Sequence, residues 1–136
     1  MGYYIRVTDS KFFIPKEQQE AAFIAIKNLV GRETIKDASG NHFSWVNTQD
    51  FLKAENLHDT LKAWRWKVYF NPNGDIDSIA FHGEKWGDES LLFETLAPFI
   101  DEGSYIEFYG LNDGKSWRFV FEDSKLRKKY PTVTWV

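Results

Sequence analysis

Polar and apolar positions alternate from the start of the chain. Tyr3, Ile5 and Val7 stand against Tyr4, Arg6 and Thr8, the two-residue period of a half-buried strand. Phe12-Phe13-Ile14 adds a second extended piece, as a bend or a short pairing. The period then changes. Pro15 suits the first turn of a helix, and Ala22, Phe23, Ile26, Leu29 and Val30 recur at helical spacing until Gly31 closes it. From Arg32 the pattern dissolves into a loop through Lys36 to Asn41, with His42 to Val46 able to form a short strand. Asn47 or Thr48 can cap a helical stretch that carries Phe51, Leu52, Leu57, Leu61 and Trp64, read as two short helices broken near Asn56.

The second half of the chain reads as hairpins. Trp66, Val68 and Phe70 share one face of a strand over Arg65 to Phe70, and Asn71-Pro72-Asn73-Gly74-Asp75 turns it into Ile76 to His82. Asp88 caps a helix in which Leu92, Phe93 and Leu96 share a face, and Pro98 marks its end or a kink. Ser104 to Tyr109, the turn Asn112-Asp113-Gly114 and Ser116 to Glu122 make a second hairpin with Trp117, Phe119 and Phe121 on one side. After Asp123 a short basic turn or helix leads past Tyr130 and Pro131 to a last strand, Thr132 to Val136. Hairpins separated by helices predict an α+β domain, an antiparallel sheet with helices packed on one face. A ferredoxin-like winding with extra C-terminal strands is one candidate topology.

Bulk properties narrow this picture. A chain of 136 residues that is 43% hydrophobic is long enough for one core and short for two, so residues 1–136 are read as a single domain. The absence of cysteine removes disulfides, thiolate metal sites and thiol nucleophiles, and fits a reducing, cytoplasmic setting. No apolar run is long enough to span a membrane, and the N-terminus lacks the layout of a signal peptide. A net charge of -3 works against binding held by phosphate contacts, although Lys125, Arg127, Lys128 and Lys129 form a local basic group.

The densest polar stretch is His82 to Glu89, between a strand end and a helix start, where an anion could meet free backbone N–H groups. Glu84, Lys85 and Trp86 are its candidate binding residues. The competing reading is structural: Asp88 occupies those donors as a cap, and Glu84 and Lys85 are solvated loop charges. His42, His58 and His82 lie far apart, so no metal site is expected. Asn73 to Asp77 reads as a turn rather than a calcium loop. No nucleophile elbow, phosphate loop or dinucleotide fingerprint is visible, and no cofactor is expected.

Ser116 to Phe121 resembles the aromatic strand of an RNA-recognition sheet, but the Lys/Arg-Gly opening is missing and those aromatics can equally be core. If the opposite face of that sheet is open, Tyr105, Tyr109 and Arg118 become the better candidate surface. Six Trp and six Tyr form a large aromatic load for a domain of this size, which directs attention to Trp45, Trp64, Trp66, Trp86 and Trp135 as interface anchors. An aromatic core is the alternative.

From Gly74 to Phe121, the run Gly74-Asp75-Ile76, Phe81, Gly83-Glu84-Lys85, Ala97-Pro98, Gly103-Ser104-Tyr105-Ile106-Glu107 and Trp117-Arg118-Phe119-Val120-Phe121 resembles uncharacterised small bacterial and phage or plasmid-borne proteins. The resemblance implies a prokaryotic or mobile-element setting and carries no activity or site residue. The expectation is therefore a non-catalytic domain that binds a protein partner, as an accessory or inhibitor of a host or defence protein. A nucleic-acid module on the sheet face and the basic C-terminal segment is the first alternative, and a small enzyme at the 82–88 loop the second. A homo-oligomer is compatible with each.

Overall fold

The computed structural model describes residues 2–29 and 46–136. The expected helix end at Gly31, the short strand over His42 to Val46 and Trp45 fall wholly or largely outside those residues. The elements run β1 (Ile5–Lys11), α1 (Gln19–Lys27), α2 (Thr48–Lys53), α3 (Leu57–Ala63), β2 (Trp66–Phe70), β3 (Ile76–Phe81), α4 (Glu89–Leu96), β4 (Tyr105–Gly110), β5 (Ser116–Glu122) and β6 (Lys125–Lys129). The α+β class holds: helices pack on an antiparallel sheet of order β1-β4-β5-β6, accompanied by a two-stranded sheet, β2-β3.

A ferredoxin-like winding would set β1 between β4 and β3 in one sheet. The antiparallel pairing of β1 with β4 is present, but β2-β3 stays a separate hairpin tied to the start of the chain by the bridges Tyr4–Lys85 and Ile14–Ile76. Phe12 to Ile14, the second extended piece, therefore carries the chain from the large sheet to the small one.

Local chemistry explains the helices. Asn47 and Asn56 each accept a bond from the backbone N–H three residues on, capping α2 and α3 and placing the break where the residue pattern puts it. Lys27 reaches from α1 to donate to the carbonyls of Phe51, Leu52 and Ala54, which answers the orphan acceptors at the end of α2. Gln19 donates to the Gly74 carbonyl and Asp75 accepts from the Lys16 N–H, so the β2-β3 turn is fastened to the start of α1.

The core is an aromatic cluster between the inner face of the large sheet, α4 and β2. Phe93 of α4 meets Phe12, Phe119 and Phe121 at centroid distances of 6.2, 5.9 and 6.1 Å, and Trp66 of β2 meets Phe93 at 5.0 Å and Phe108 at 6.2 Å. Trp64 and Trp66 are fully buried.

Four expectations change. Phe70 leaves the buried face of β2, because a register shift between Tyr69 and Phe70 turns it outward. Asp88 sits at the N-cap of α4 without a side-chain cap bond. The basic segment after Asp123 is strand β6, whereas Thr132 to Val136 pairs with nothing described. The β5-β6 connection lacks the glycine that advertises such turns: Asp123 and Ser124 both lie at positive φ, 55° and 61°, as a two-residue hairpin turn demands. Ser124→Gly should relieve that strain and raise the thermal midpoint by about 3 °C, corresponding to roughly 1 kcal/mol, in a calorimetric scan. An unchanged or lower midpoint would show that the serine side chain offsets it.

Candidate functional site

The six residues singled out from the sequence divide between two places. Trp86, Glu84 and Lys85 belong to the connection from β3 to α4. Tyr105, Tyr109 and Arg118 come together on the outer face of the large sheet.

The connection is built from backbone. Its Glu84 carbonyl accepts from the Ile5 N–H, and the Trp86 N–H donates to the Tyr3 carbonyl. Lys85 lies over the Tyr4 ring at 5.1 Å, and Glu84 is exposed. The Trp86 ring is half-buried and stands edge-on to Phe108, Trp117 and Phe119 at 5.3, 5.4 and 5.6 Å, so its area is spent on the core.

Beneath this connection lies an ion pair that residue patterns did not reveal. Arg65, just past the end of α3, donates one Nη to Glu89 Oε1 at 2.9 Å and the other to the Lys85 carbonyl at 2.8 Å. Glu89 opens α4, is fully buried and also accepts from the Gly87 N–H. Arg65 holds a positive φ of 72°, where glycine would sit without strain, so the side chain is kept despite the backbone cost. Burial holds the Glu89 carboxyl above its ordinary value while Arg65 pulls it down. Glu89 Oε2 and Arg65 Nε find no hydrogen-bond partner among the described residues.

The outer sheet face is different in kind. In the antiparallel register, Arg6 stands opposite Tyr109, Asp9 opposite Glu107, Lys11 opposite Tyr105, and Glu107 opposite Arg118. These residues share one face because side chains alternate along a strand and the register shift between Val7 and Asp9 in β1 brings Asp9 and Lys11 to the side of Arg6. Arg118 donates its Nε to Glu107 at 2.8 Å and covers the Tyr105 ring at 4.7 Å. The Tyr105 hydroxyl donates to Asp9, Thr8 donates to Glu107, and Arg6 covers Tyr109 at 5.0 Å. The bonds from Arg118 and Thr8 lower the Glu107 pKa, and the bond to Asp9 raises that of Tyr105.

The face therefore presents aromatic rings whose orientation is held by cross-strand partners. A groove of about 520 Å³ runs along it, lined by Tyr105, Arg118, Val120, Lys129, Tyr130 and Pro131. Beside that groove a second one is lined by Tyr3, Ser116, Tyr130 and Pro131, and there Tyr3 donates to Asp113, which pushes the Tyr3 hydroxyl up to about 12. Tyr130 and Pro131 lead into an exposed segment in which Val133 and Trp135 are open to solvent, Trp135 at 92%. Of the tryptophans weighed as interface anchors, Trp64 and Trp66 are core, Trp86 is a wedge in it, and Trp135 stands free.

Among the described residues no three His or carboxylate side chains are grouped to hold a metal ion. No described helix is long and apolar enough to cross a membrane. Compared with protein-family models, with curated proteins and with solved structures, the chain matches none.

Proposed function

We propose that this chain is a non-catalytic binding domain that engages a protein partner through the outer face of its four-stranded sheet. The observation that carries the proposal is the arrangement of Tyr105, Tyr109, Arg6 and Arg118 on one open face. Tyr and Arg dominate the binding energy of protein interfaces, and rings already fixed by neighbours lose little conformational freedom when a partner lands on them. The exposed Trp135 extends the same chemistry. In the prokaryotic or mobile-element setting that the resemblance implies, such a domain would serve as an accessory or inhibitor of a host or defence protein.

A second reading, nucleic-acid binding, draws on charge. Arg6, Lys11, Arg118, Lys125, Arg127 and Lys129 face Asp9, Glu107 and Glu122 on this surface, a local cationic surplus on an acidic chain. The protein reading is favoured because Glu107 already pairs with Arg118, while Glu122 pairs with Arg127 and Lys129. With three of those cations paired, the surplus left is modest for binding held by counterion release alone.

A photo-crosslinking amino acid placed at Tyr109 in living cells tests the choice. A discrete protein adduct is expected, weakened by Arg118→Ala and absent when the probe is moved to exposed Asp77 on β3. Failure of the Tyr109 probe to trap any protein, or capture of nucleic acid that salt displaces, would overturn the proposal.

A further inference from the structure

Resting on the protein-binding reading, we infer that β6 is a strand-addition site for an extended acidic segment of the partner. β6 is an edge strand, Lys125-Leu126-Arg127-Lys128-Lys129, with four cations in five residues. In a hairpin closed by a two-residue turn, the flanking pair Glu122–Lys125 is hydrogen-bonded. Alternation along the ladder then leaves the N–H and C=O of Leu126 and Lys128 directed away from β5. No backbone bond outside the ladder reaches either residue among those described. The edge therefore offers a strand's worth of unused donors and acceptors.

Side-chain placement sets what can add there. A strand paired with β6 would lay one set of side chains beside Lys125, Arg127 and Lys129, and the other beside half-buried Leu126 and exposed Lys128. The matching pattern is acidic residues alternating with apolar ones. The same cations exclude a second copy of β6, since two such edges would bring like charges into register, the usual means by which edge strands avoid pairing with themselves. The groove bounded by Val120, Tyr130 and Pro131 lies beside the strand and continues the surface that a partner would cover. Backbone pairing supplies affinity in this mode and the alternating side chains supply selectivity.

The test is hydrogen exchange by NMR on the full chain with a blocked peptide alternating Glu and Val. Protection of the Leu126 and Lys128 amides should rise by about tenfold or more on saturation, with shifts centred on residues 125–130. Methylating the peptide's pairing amides should abolish the effect, a Lys–Val peptide should give none, and Lys125→Glu with Arg127→Glu should reverse the preference. Binding that survives amide methylation, shifts that map elsewhere, no binding, or stronger protection by an oligodeoxythymidine would each overturn strand addition. If strand addition fails while the Tyr109 adduct persists, the protein-binding face stands alone; loss of the adduct as well removes both.

Discussion

Arg65→Ala is expected to lower the unfolding free energy by about 3–5 kcal/mol, read as a drop in the urea midpoint at unchanged slope, because it strands a buried carboxylate. Among the described residues Glu89 has no other ion-pair partner, and its side chain is fully buried. Replacing both residues, Arg65→Met with Glu89→Leu, should cost much less than Arg65→Ala, since the pair's own desolvation disappears with it. A loss for Arg65→Ala below about 1 kcal/mol would place the contact with exposed ion pairs and refute the pinning role.

The pair also has a pH signature. Burial raises the Glu89 pKa above 4.5, so the folded state holds the proton more tightly than the unfolded chain. This contribution is fully present below 4.5 and is lost as pH rises through the folded value. Glu107, Asp113 and Glu122 act oppositely, because their hydrogen bonds lower their pKa values: their contribution is present above the ordinary carboxylate range and lost as pH falls. The difference in stability between the native chain and Glu89→Gln should therefore shift against the native chain as pH rises above 4.5. A flat difference would show that the carboxyl does not titrate in that window.

The second large effect is expected at the centre of the aromatic cluster. Phe93→Ala should cost about 3–5 kcal/mol by denaturant unfolding, because Phe93 joins α4 to Trp66 on one side and to Phe12, Phe119 and Phe121 on the other. Trp135→Ala should stay within about 0.5 kcal/mol, since the ring is 92% exposed. Comparable losses at the two positions would mean that the C-terminal segment packs against the domain.

These expectations rest on features of unequal visibility in the residue pattern. Both hairpins, the Asn56 break between α2 and α3 and the end of α4 near Pro98 follow from local chemistry: turn residues, caps and the two side-chain periods. β6 escaped the pattern because Lys125-Leu126-Arg127-Lys128-Lys129 carries a single apolar residue and its turn, Asp123-Ser124, holds positive φ without glycine. An edge strand needs no apolar alternation, and its register comes from β5. Thr132 to Val136 has the β-branched composition of a strand and no neighbour within the described chain to make it one.

The candidate site divides in the same way. Tyr105, Tyr109 and Arg118 were legible as a face, because a strand's period of two separates them from Ile106, Phe108 and Phe119 once burial of the latter is known. Arg6, Asp9 and Thr8 could not be assigned to that face, since they join it only through the pairing of β1 with β4, residues about a hundred positions away. Arg65 and Glu89 illustrate the limit most sharply: an arginine after a helix and a glutamate opening another look like ordinary surface charges until the folded chain brings them to 2.9 Å and buries the carboxylate. Residue pattern alone is enough for the α+β class, the first two hairpins and the two-residue alternation within their strands, because these depend on short-range periodicity and turn chemistry. Only the tertiary structure decided the strand order, the core placement of Trp64, Trp66 and Trp86, the Arg65–Glu89 pin and the membership of the open face, because pairing between distant segments depends on which surfaces the whole chain can bury at once.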